Sequence, residues 1–391
     1  MKSPTAKRLA TVLAVTAVAL VAGEFAARAA FPAPDGFHVY PPGLHKVFRP
    51  ADNVMPGIEG DAHFDVDSLG YRGDEPPEGA AYRILAVGGS TTECAYLDQP
   101  KSWPELLEGM LGGPDRPAVW VANAGRSGFT SRRHVLQLRH LLPQGPRFDA
   151  VVLLVGVNDL AKRLEYGDDP PDPRELQSET VPLVQCFYEV PASAAGQLPF
   201  QKRLGLWRMA KAVQGWVRPS VLEQDEVGRK YVKWRLLRRE AAAIREVLPD
   251  LDGALEAYAH NIEQCVAIAR EQGVRLILVD QPSMWRADLS PKLERLLWLG
   301  GVGKYQYERN CDYYSVEALA AGMARYNEVL RRVAEEQGVE FVDADAALPK
   351  DTSSFYDDVH FNEGGARRAA EAIAEHMLAR PPFADEPAPG R

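Results

Sequence analysis

Short apolar runs alternate with longer stretches of mixed polarity along most of this 391-residue chain. Runs that are apolar throughout, rather than at every second position, are typical of parallel strands buried on both faces of a sheet. We predict five such strands, at residues 83–87, 119–122, 150–155, 275–279 and 340–343.

The stretches between the strands carry helical signals. Ser102 and Glu105 form a capping-box pattern at the start of a predicted helix, which Gly112 is expected to end. Strands that alternate with helices indicate βαβ units with right-handed crossovers, and therefore an α/β fold with helices on both faces of a parallel sheet. Further helices are predicted at residues 255–272, 318–337 and 363–379.

Three segments interrupt this alternation. Residues 32–80 are rich in Pro, Gly and Asp, which predicts an extended lead-in across the surface of the domain. Residues 161–253 and 284–313 are longer than ordinary connections, and the first is predicted to be a mostly helical cap or insertion. Its tryptophans could bind glycan, pack in a core or contact a partner, and core packing is the expectation. The main domain is predicted at residues 81–380, followed by a Pro-rich tail at residues 381–391.

The N-terminus predicts export. Three basic residues within the first eight positions precede an apolar run at residues 9–22, which is the order of a secretory signal. The run has no polar face, so an amphipathic surface helix is excluded. Ala-Arg-Ala at residues 27–29 suits cleavage, whereas the apolar character beyond the run suits a retained anchor. Residues 1–31 are therefore predicted to be a signal peptide or a membrane anchor, and the protein to be secreted, periplasmic or membrane-anchored.

Composition excludes some classes of function. The chain has 45 Lys and Arg against 54 Asp and Glu, a net charge of −9, and no basic block. We expect no nucleic-acid partner, because phosphate neutralisation supplies most of that affinity. The four cysteines have no C-x-x-C spacing, so neither a zinc nor a redox motif is expected. Cys94, Cys186, Cys265 and Cys311 could form disulfides, because export permits them. Their wide spacing suits buried free thiols equally well.

A serine follows the first predicted strand in a glycine-rich turn. The sequence GGSTT at residues 88–92 places Ser90 where open α/β sheets carry catalytic groups, at the carboxyl end of a strand. Glycines there allow a tight turn beside a substrate carbonyl. The serine also suits the N-cap of a following helix. A phosphate-binding loop is disfavoured, because neither G-x-x-x-x-G-K-[ST] nor G-x-G-x-x-G is present.

Polar residues also follow the third strand and precede the last helix. Asn158 suits donation to a developing oxyanion or capping of the next helix, and Asp159 is expected to cap or orient the loop. Asp357 and His360 are three residues apart, a spacing that lets the carboxylate hold an imidazole whose other nitrogen faces a nucleophile. With Ser90 they form a candidate catalytic triad.

The order Ser, Asp, His also occurs in α/β-hydrolases. Their nucleophile elbow is G-x-S-x-G, whereas residues 88–92 read GGSTT. Their Asp and His also come from separate loops, while Asp357 and His360 share one. The α/β-hydrolase fold is therefore disfavoured.

Four motifs in order resemble the conserved blocks of the SGNH/GDSL hydrolases, over about residues 83–379 with the two insertions outside. Residues 88–92 resemble the first block, with Gly89 where the common pattern has Asp. NAGRSGFT resembles the second, with Gly128 a better match to the oxyanion-hole glycine than Gly125. GVND and D-x-x-H, at residues 156–159 and 357–360, resemble the third and fifth.

The resemblance implies a flavodoxin-like three-layer α/β/α fold with a five-stranded parallel sheet. It also implies an oxyanion hole built from the backbone N–H groups of Ser90 and Gly128 and the side-chain amide of Asn158. The implied chemistry is ester hydrolysis or acyl transfer without a metal or other cofactor. Exported members often process acyl groups on envelope or extracellular carbohydrate, so a small-molecule or glycan ester is the implied substrate.

These residues predict a serine esterase that forms an acyl-enzyme, with acetyl or short acyl groups on carbohydrate as the expected esters. An O-acyltransferase would use the same triad and would pass the acyl group to an acceptor hydroxyl instead of water. A non-catalytic carbohydrate-binding or scaffold protein is the other alternative. We would expect such a protein to lack Ser90, Asp357 or His360, and all three are present.

Overall fold

A five-stranded parallel sheet lies at the centre of the structure, a computed structural model that describes residues 4–51, 53–113, 116–169, 183–217 and 226–384. The central strands lie in the order Val119–Asn123, Tyr82–Gly88, Ala150–Leu154, Arg275–Val279 and Glu340–Val342, which is the doubly wound order of flavodoxin-like folds. The predicted fold class is confirmed, and each of the five predicted strands is present. In chain order the strands are β1 (His45–Phe48), β2 (Ala62–Asp65), β3 (Tyr82–Gly88), β4 (Val119–Asn123), β5 (Ala150–Leu154), β6 (Ile244–Arg245), β7 (Arg275–Val279), β8 (Tyr313–Tyr314) and β9 (Glu340–Val342).

Helices cover both faces of this sheet. The helix Trp103–Leu111 packs against the helix Glu363–Leu378. On the other face, the helix Ser131–Leu141 packs against Asp252–Glu271, which also contacts Val316–Gln337. Every residue of β4 and β5 is buried between the layers, which is why these strands read as unbroken apolar runs. The described helices are α1 (Pro4–Ala30), α2 (Ser90–Glu93), α3 (Trp103–Leu111), α4 (Ser131–Leu141), α5 (Val157–Glu165), α6 (Leu183–Cys186), α7 (Gly205–Val217), α8 (Glu226–Arg239), α9 (Asp252–Glu271), α10 (Pro291–Glu294), α11 (Val316–Gln337), α12 (Ala344–Ala347) and α13 (Glu363–Leu378).

One local prediction was wrong. Helix α3 has Ser102 at its N-cap, but the reciprocal capping box with Glu105 does not form. The Ser102 hydroxyl donates to the carbonyl oxygen of Gln99 at 3.2 Å, and Glu105 accepts from the Gln99 side-chain amide at 2.7 Å. The 3₁₀ turn Gln99–Lys101 immediately before the helix brings both Gln99 groups within reach first.

The predicted lead-in, residues 32–80, contributes to the core as well as crossing the surface. Strands β1 and β2 pair antiparallel within it, which the sequence did not reveal. Its buried Arg72 donates to the carbonyl oxygens of Cys94 at 2.6 Å and Leu97 at 2.7 Å. These bonds fix the segment that follows the end of β3.

The first insertion, residues 161–253, is mostly helical where the structure describes it, and it contains α6, α7 and α8. Its residues 170–182 and 218–225 lie outside the described residues, as do residues 385–391 of the predicted tail. The second insertion, residues 284–313, contains the short helix α10 and is otherwise largely irregular.

Helix α1 is joined to the first insertion at its carboxyl end. The segment Arg8–Ala30 is, within the described residues, the one helix long and apolar enough to cross a membrane. Glu24 of this helix accepts hydrogen bonds from the backbone N–H groups of Gly205 at 2.8 Å and Leu206 at 3.0 Å, at the start of α7.

The four cysteines are free thiols. Three of them, Cys94, Cys186 and Cys265, are buried, and Cys311 is partly exposed. Of the two possibilities that the sequence left open, the structure shows free thiols.

Candidate active site

Ser90 lies at the carboxyl edge of the central sheet. It is the first residue of α2, and Gly89, between β3 and this helix, occupies the N-cap position. Ser90 is therefore not the helix cap, which was the alternative role that its sequence position allowed. A Cβ at Gly88 would overlap the Thr92 hydroxyl, and a Cβ at Gly89 would overlap the amide nitrogen of Asn158. The two glycines allow this close packing around the serine.

The structure brings Ser90, His360 and Asp357 into one hydrogen-bonded line. His360 Nε2 lies 2.7 Å from Ser90 Oγ. His360 Nδ1 lies 2.9 Å from Asp357 Oδ1 and 2.8 Å from Asp357 Oδ2. Because a carboxylate only accepts, the Nδ1 proton points to Asp357, and Nε2 is left as the acceptor for the Ser90 hydroxyl proton.

The charges of this pair support each other. Burial disfavours the imidazolium, but the charge and hydrogen bonds of Asp357 outweigh it and raise the pKa of His360 above its usual value. Burial likewise opposes ionisation of Asp357. The charge of His360 and the indole N–H of Trp298 outweigh this effect of burial, so the pKa of Asp357 is lowered. The pair therefore favours an ionised carboxylate beside a basic imidazole.

The second insertion supports the carboxylate. Trp298 Nε1 donates to Asp357 Oδ2 at 2.9 Å. The neighbouring Asp358 holds the loop that carries this indole, because it accepts from the backbone N–H groups of Trp298 at 2.7 Å and Leu299 at 3.2 Å. Asp358 also accepts from Trp285 Nε1 at 3.0 Å. One aspartate of the pair thus contacts the imidazole, and the other orders the loop that supports it.

Two candidate oxyanion donors line the same cavity as Ser90. Gly128 has a φ of +75°, a backbone conformation that favours glycine, and its N–H has no hydrogen-bond partner within the described residues. Asn158 Nδ2 donates to the carbonyl oxygen of Phe129 at 2.9 Å. That bond orients the amide and leaves its second hydrogen for a ligand.

Gly125 is not free to act in this way. Its N–H donates to Asn123 Oδ1 at 2.9 Å, and its carbonyl oxygen accepts from the Tyr40 hydroxyl. A Cβ at this position would overlap the backbone of Thr92 and Glu93. These contacts make Gly125 a packing residue and favour the Gly128 register.

Asp159 orients a loop, as its position in the sequence suggested. It accepts from the Ser131 backbone N–H at 3.0 Å and from the Ser131 hydroxyl at 2.5 Å. Burial raises the pKa of Asp159 to about 6. The contact joins the start of α4 to the start of α5, which carries Asn158.

Two cavities of different size meet at Ser90 and His360. The small one has a volume of about 10 Å³, and its walls include Tyr96, Leu97 and Phe361. The large one has a volume of about 570 Å³ and extends between helices of the first insertion and the main domain. The nucleophile thus has a narrow side and a wide side.

The described residues contain no group of three or more His, Cys, Asp or Glu side chains placed to hold a metal ion. Gly128 and Asn158 line the Ser90 cavity, and their N–H groups suit negative charge on a substrate oxygen.

The sequence model of the GDSL-like lipase/acylhydrolase family matches residues 86–368, which is most of the chain. The chain belongs to this family. The predicted resemblance is thereby confirmed, and the protein is a hydrolase that acts on ester bonds.

Several solved structures are similar to this hydrolase. The acetylxylan esterase Axe2 from Geobacillus stearothermophilus has 16% identity and a TM-score of 0.40, with 76% of this chain and 94% of that chain covered. The native aryl esterase of M. smegmatis has 14% identity and a TM-score of 0.41, with coverages of 76% and 99%. A lipolytic protein of the G-D-S-L family from Veillonella parvula has 13% identity and a TM-score of 0.40, with coverages of 77% and 100%. Such low similarity supports no transfer of substrate, and no curated protein matches this hydrolase.

The residues that support the triad carry little signal in the sequence. Trp298 and Trp285 lie in an insertion without a recognisable motif, and each supports an aspartate of the site through its indole N–H group. Asp358 is visible in the sequence as a second carboxylate beside Asp357. A buried carboxylate needs hydrogen-bond partners of its own, so this pair of aspartates indicates nearby donors. Lys230 lines the large cavity from α8 and was likewise not singled out.

Proposed function

We propose that this hydrolase cleaves carboxylic esters in two steps through an acyl-enzyme on Ser90. The observation that carries the proposal is the continuous line of hydrogen bonds from Ser90 Oγ to His360 Nε2 and from His360 Nδ1 to Asp357. The N–H groups of Gly128 and Asn158 at the same cavity support it.

In the first step, His360 Nε2 accepts the hydroxyl proton of Ser90 while Ser90 Oγ attacks the carbonyl carbon of the ester. Negative charge develops on the carbonyl oxygen, to which the N–H groups of Ser90 and Gly128 and the amide of Asn158 donate. The intermediate then collapses, the carbon–oxygen bond to the alcohol breaks, and the alcohol leaves with the proton from His360.

In the second step, water attacks the acyl-enzyme and transfers a proton to His360 Nε2. Collapse of the second intermediate breaks the bond to Ser90 Oγ, which regains a proton from His360, and the acid is released. Asp357 stays ionised throughout and stabilises the imidazolium that forms in each step.

We propose that the acyl group is acetyl or similarly short. The small cavity of about 10 Å³ beside Ser90 has room for a group about the size of one water molecule or methyl. Leu97 and Phe361 in its wall are buried, and a closely packed wall resists the entry of a longer chain.

We propose that the alcohol part of the ester occupies the large cavity. A volume of about 570 Å³ is in the range of pockets that enclose a small ligand, and it accommodates a sugar unit. Together with the N-terminal apolar helix, this supports acylated envelope or extracellular carbohydrate as the substrate class.

We also propose that α1 remains attached and anchors the enzyme to a membrane. Its Glu24 caps α7 through the N–H groups of Gly205 and Leu206. Cleavage after Ala29 would remove this contact and expose the start of α7. The contact therefore supports a retained anchor over a cleaved signal.

The test is labelling by a fluorophosphonate probe, which reacts with an activated serine. We expect labelling of the purified protein, its loss in Ser90→Ala, and its retention in Ser127→Ala. Ser127 is a matched control because it lines the same cavity and its hydroxyl is bound to Glu93. A folded protein that is not labelled would contradict the proposal. Product analysis decides the acceptor, since an acylated alcohol in place of free acid identifies an O-acyltransferase.

A further inference from the structure

The wall of the large cavity is cationic although the chain as a whole is acidic. Among the described residues that line it, five are Lys or Arg and two are Asp or Glu. The net charge of the chain is −9, so this excess is opposite in sign to the average surface. The cations are Arg132, Arg133, Lys162, Arg163 and Lys230.

Two of these cations are engaged with other groups of the protein. Arg163 donates to the carbonyl oxygens of Asp250 and Gly167. Lys162 forms an ion pair with Glu165 at 2.6 Å. Both side chains therefore bind other groups of the protein.

Lys230 differs from them. Its ammonium lies 4.2 Å from the ring centre of Trp234, and it forms no ion pair with a described residue. It is exposed and lines the cavity from α8. Its charge lowers the pKa of His360, an effect smaller than the opposing ones of Asp357 and Asp358.

Two groups pack on the Trp234 indole. Trp298 stacks on it with ring centres 4.3 Å apart and an interplanar angle of 26°. The Lys230 ammonium lies over the same ring, 4.2 Å from its centre. Trp234 therefore holds a positive charge at the cavity wall.

The carboxylate whose charge acts on Lys230 already has other hydrogen-bond partners. The charge of Glu93 raises the pKa of Lys230, but Glu93 accepts from the Tyr40 hydroxyl at 2.9 Å and from the Ser127 backbone N–H at 2.8 Å. Glu93 is not among the described residues that line the cavity. The ammonium remains available to a ligand.

We propose that Lys230 binds a negatively charged group on the alcohol part of the substrate, so that the preferred esters are short acyl esters of anionic alcohols such as acidic sugars. This inference rests on the proposed esterase function. The reaction at Ser90 is unchanged, and Lys230 contributes by holding the leaving alcohol through a charge-assisted contact.

The test compares two esters of nearly equal shape, 4-acetoxybenzoate, which is anionic, and 4-acetoxybenzamide, which is neutral. The measured quantity is kcat/KM for the anionic ester divided by kcat/KM for the neutral ester. Intrinsic differences in reactivity between the two esters then cancel when enzyme variants are compared. We expect Lys230→Met to lower the ratio about tenfold, mainly through KM of the anionic ester, since a contact to a charged group contributes on this order. Lys230→Arg should restore most of the preference.

Lys233→Met is the matched control, because Lys233 is an exposed lysine on the same helix and does not line the cavity. It should leave the ratio unchanged. An unchanged ratio in Lys230→Met, or an equal fall in Lys233→Met, would overturn the inference while leaving the esterase proposal intact. Absence of Ser90-dependent hydrolysis of both esters would instead overturn the proposed function and this inference with it.

Discussion

The indole N–H of Trp298 donates to Asp357 Oδ2 at 2.9 Å, across 59 positions of sequence. The other oxygen of that carboxylate accepts from the backbone N–H groups of Val359 and His360, at 3.1 and 2.9 Å. The carboxylate that faces the imidazole is thus held on both sides, once by its own loop and once by the second insertion. Rigid orientation of this kind is what a general base requires.

Trp298→Phe should therefore lower kcat about tenfold with little change in KM. The change removes one donor to a buried carboxylate, which costs on the order of 1–3 kcal/mol. It also removes one of the groups that lower the pKa of Asp357. The check is steady-state kinetics with 4-nitrophenyl acetate.

Trp285→Phe is the matched control for that variant. Its indole N–H donates to Asp358 rather than to Asp357, so the same chemical change should reduce thermal stability more than it reduces kcat. Equal losses of kcat in both variants would show that Trp298 acts only through general stability.

The pH dependence of kcat/KM should show an acid limb with its midpoint above 6.5. The neutral imidazole of His360 is the proton acceptor, and Asp357 raises the pKa of His360 above the usual value of 6.5. Activity should therefore be lost as the pH falls through that raised pKa. The measurement is a pH–rate profile of the free enzyme at low substrate concentration.

Asp357→Asn tests the cause of that shift. Without the carboxylate charge, the acid limb should move to lower pH, and kcat should fall by about 10⁴, as the loss of the correct tautomer does in Ser-His-Asp sites. An acid limb that stays in place would mean that another group sets it.

Asn158→Ala should reduce kcat by about 10²–10³ while the protein remains folded. The variant removes one donor to the developing oxyanion, and that range is typical of such losses. Thermal unfolding measured beside the kinetics separates this effect from destabilisation. Full activity in a folded variant would remove Asn158 from the mechanism.

Leu97→Ala should shift acyl preference toward longer chains. Truncation enlarges the small cavity beside Ser90, so the ratio of kcat/KM for 4-nitrophenyl butyrate to that for the acetate should rise. Leu107→Ala is the control, since Leu107 is fully buried in the core and does not line either cavity. Both variants lose stability, by about 2–5 kcal/mol each, and an equal shift in both would argue against the acyl cavity.

The full chain should fractionate with membranes and keep its first 31 residues, as intact-mass measurement would show. Recovery of a soluble form beginning near residue 30 would contradict the retained anchor.

Much of the fold followed from local pattern. The strands of the central sheet are buried on both faces, so each appears as an uninterrupted apolar run, and their positions were predicted to within one residue at each end. The contact between Asp357 and His360 was also foreseeable, because three residues of separation in one loop bring the groups together without help from the rest of the chain. The Ser102 capping box failed because a preceding turn offered closer partners.

The sequence by itself determined the order of strands and helices, the family, and the candidate nucleophile, base and carboxylate. Tertiary structure alone decided which groups support them. The contacts of Trp298 with Asp357, of Trp234 with Trp298, and of Glu24 with the start of α7 join residues that are far apart in the chain. A side chain that acts through one N–H group or one ring face leaves no periodicity or spacing in the sequence, so only the packing of the insertions against the sheet could reveal it.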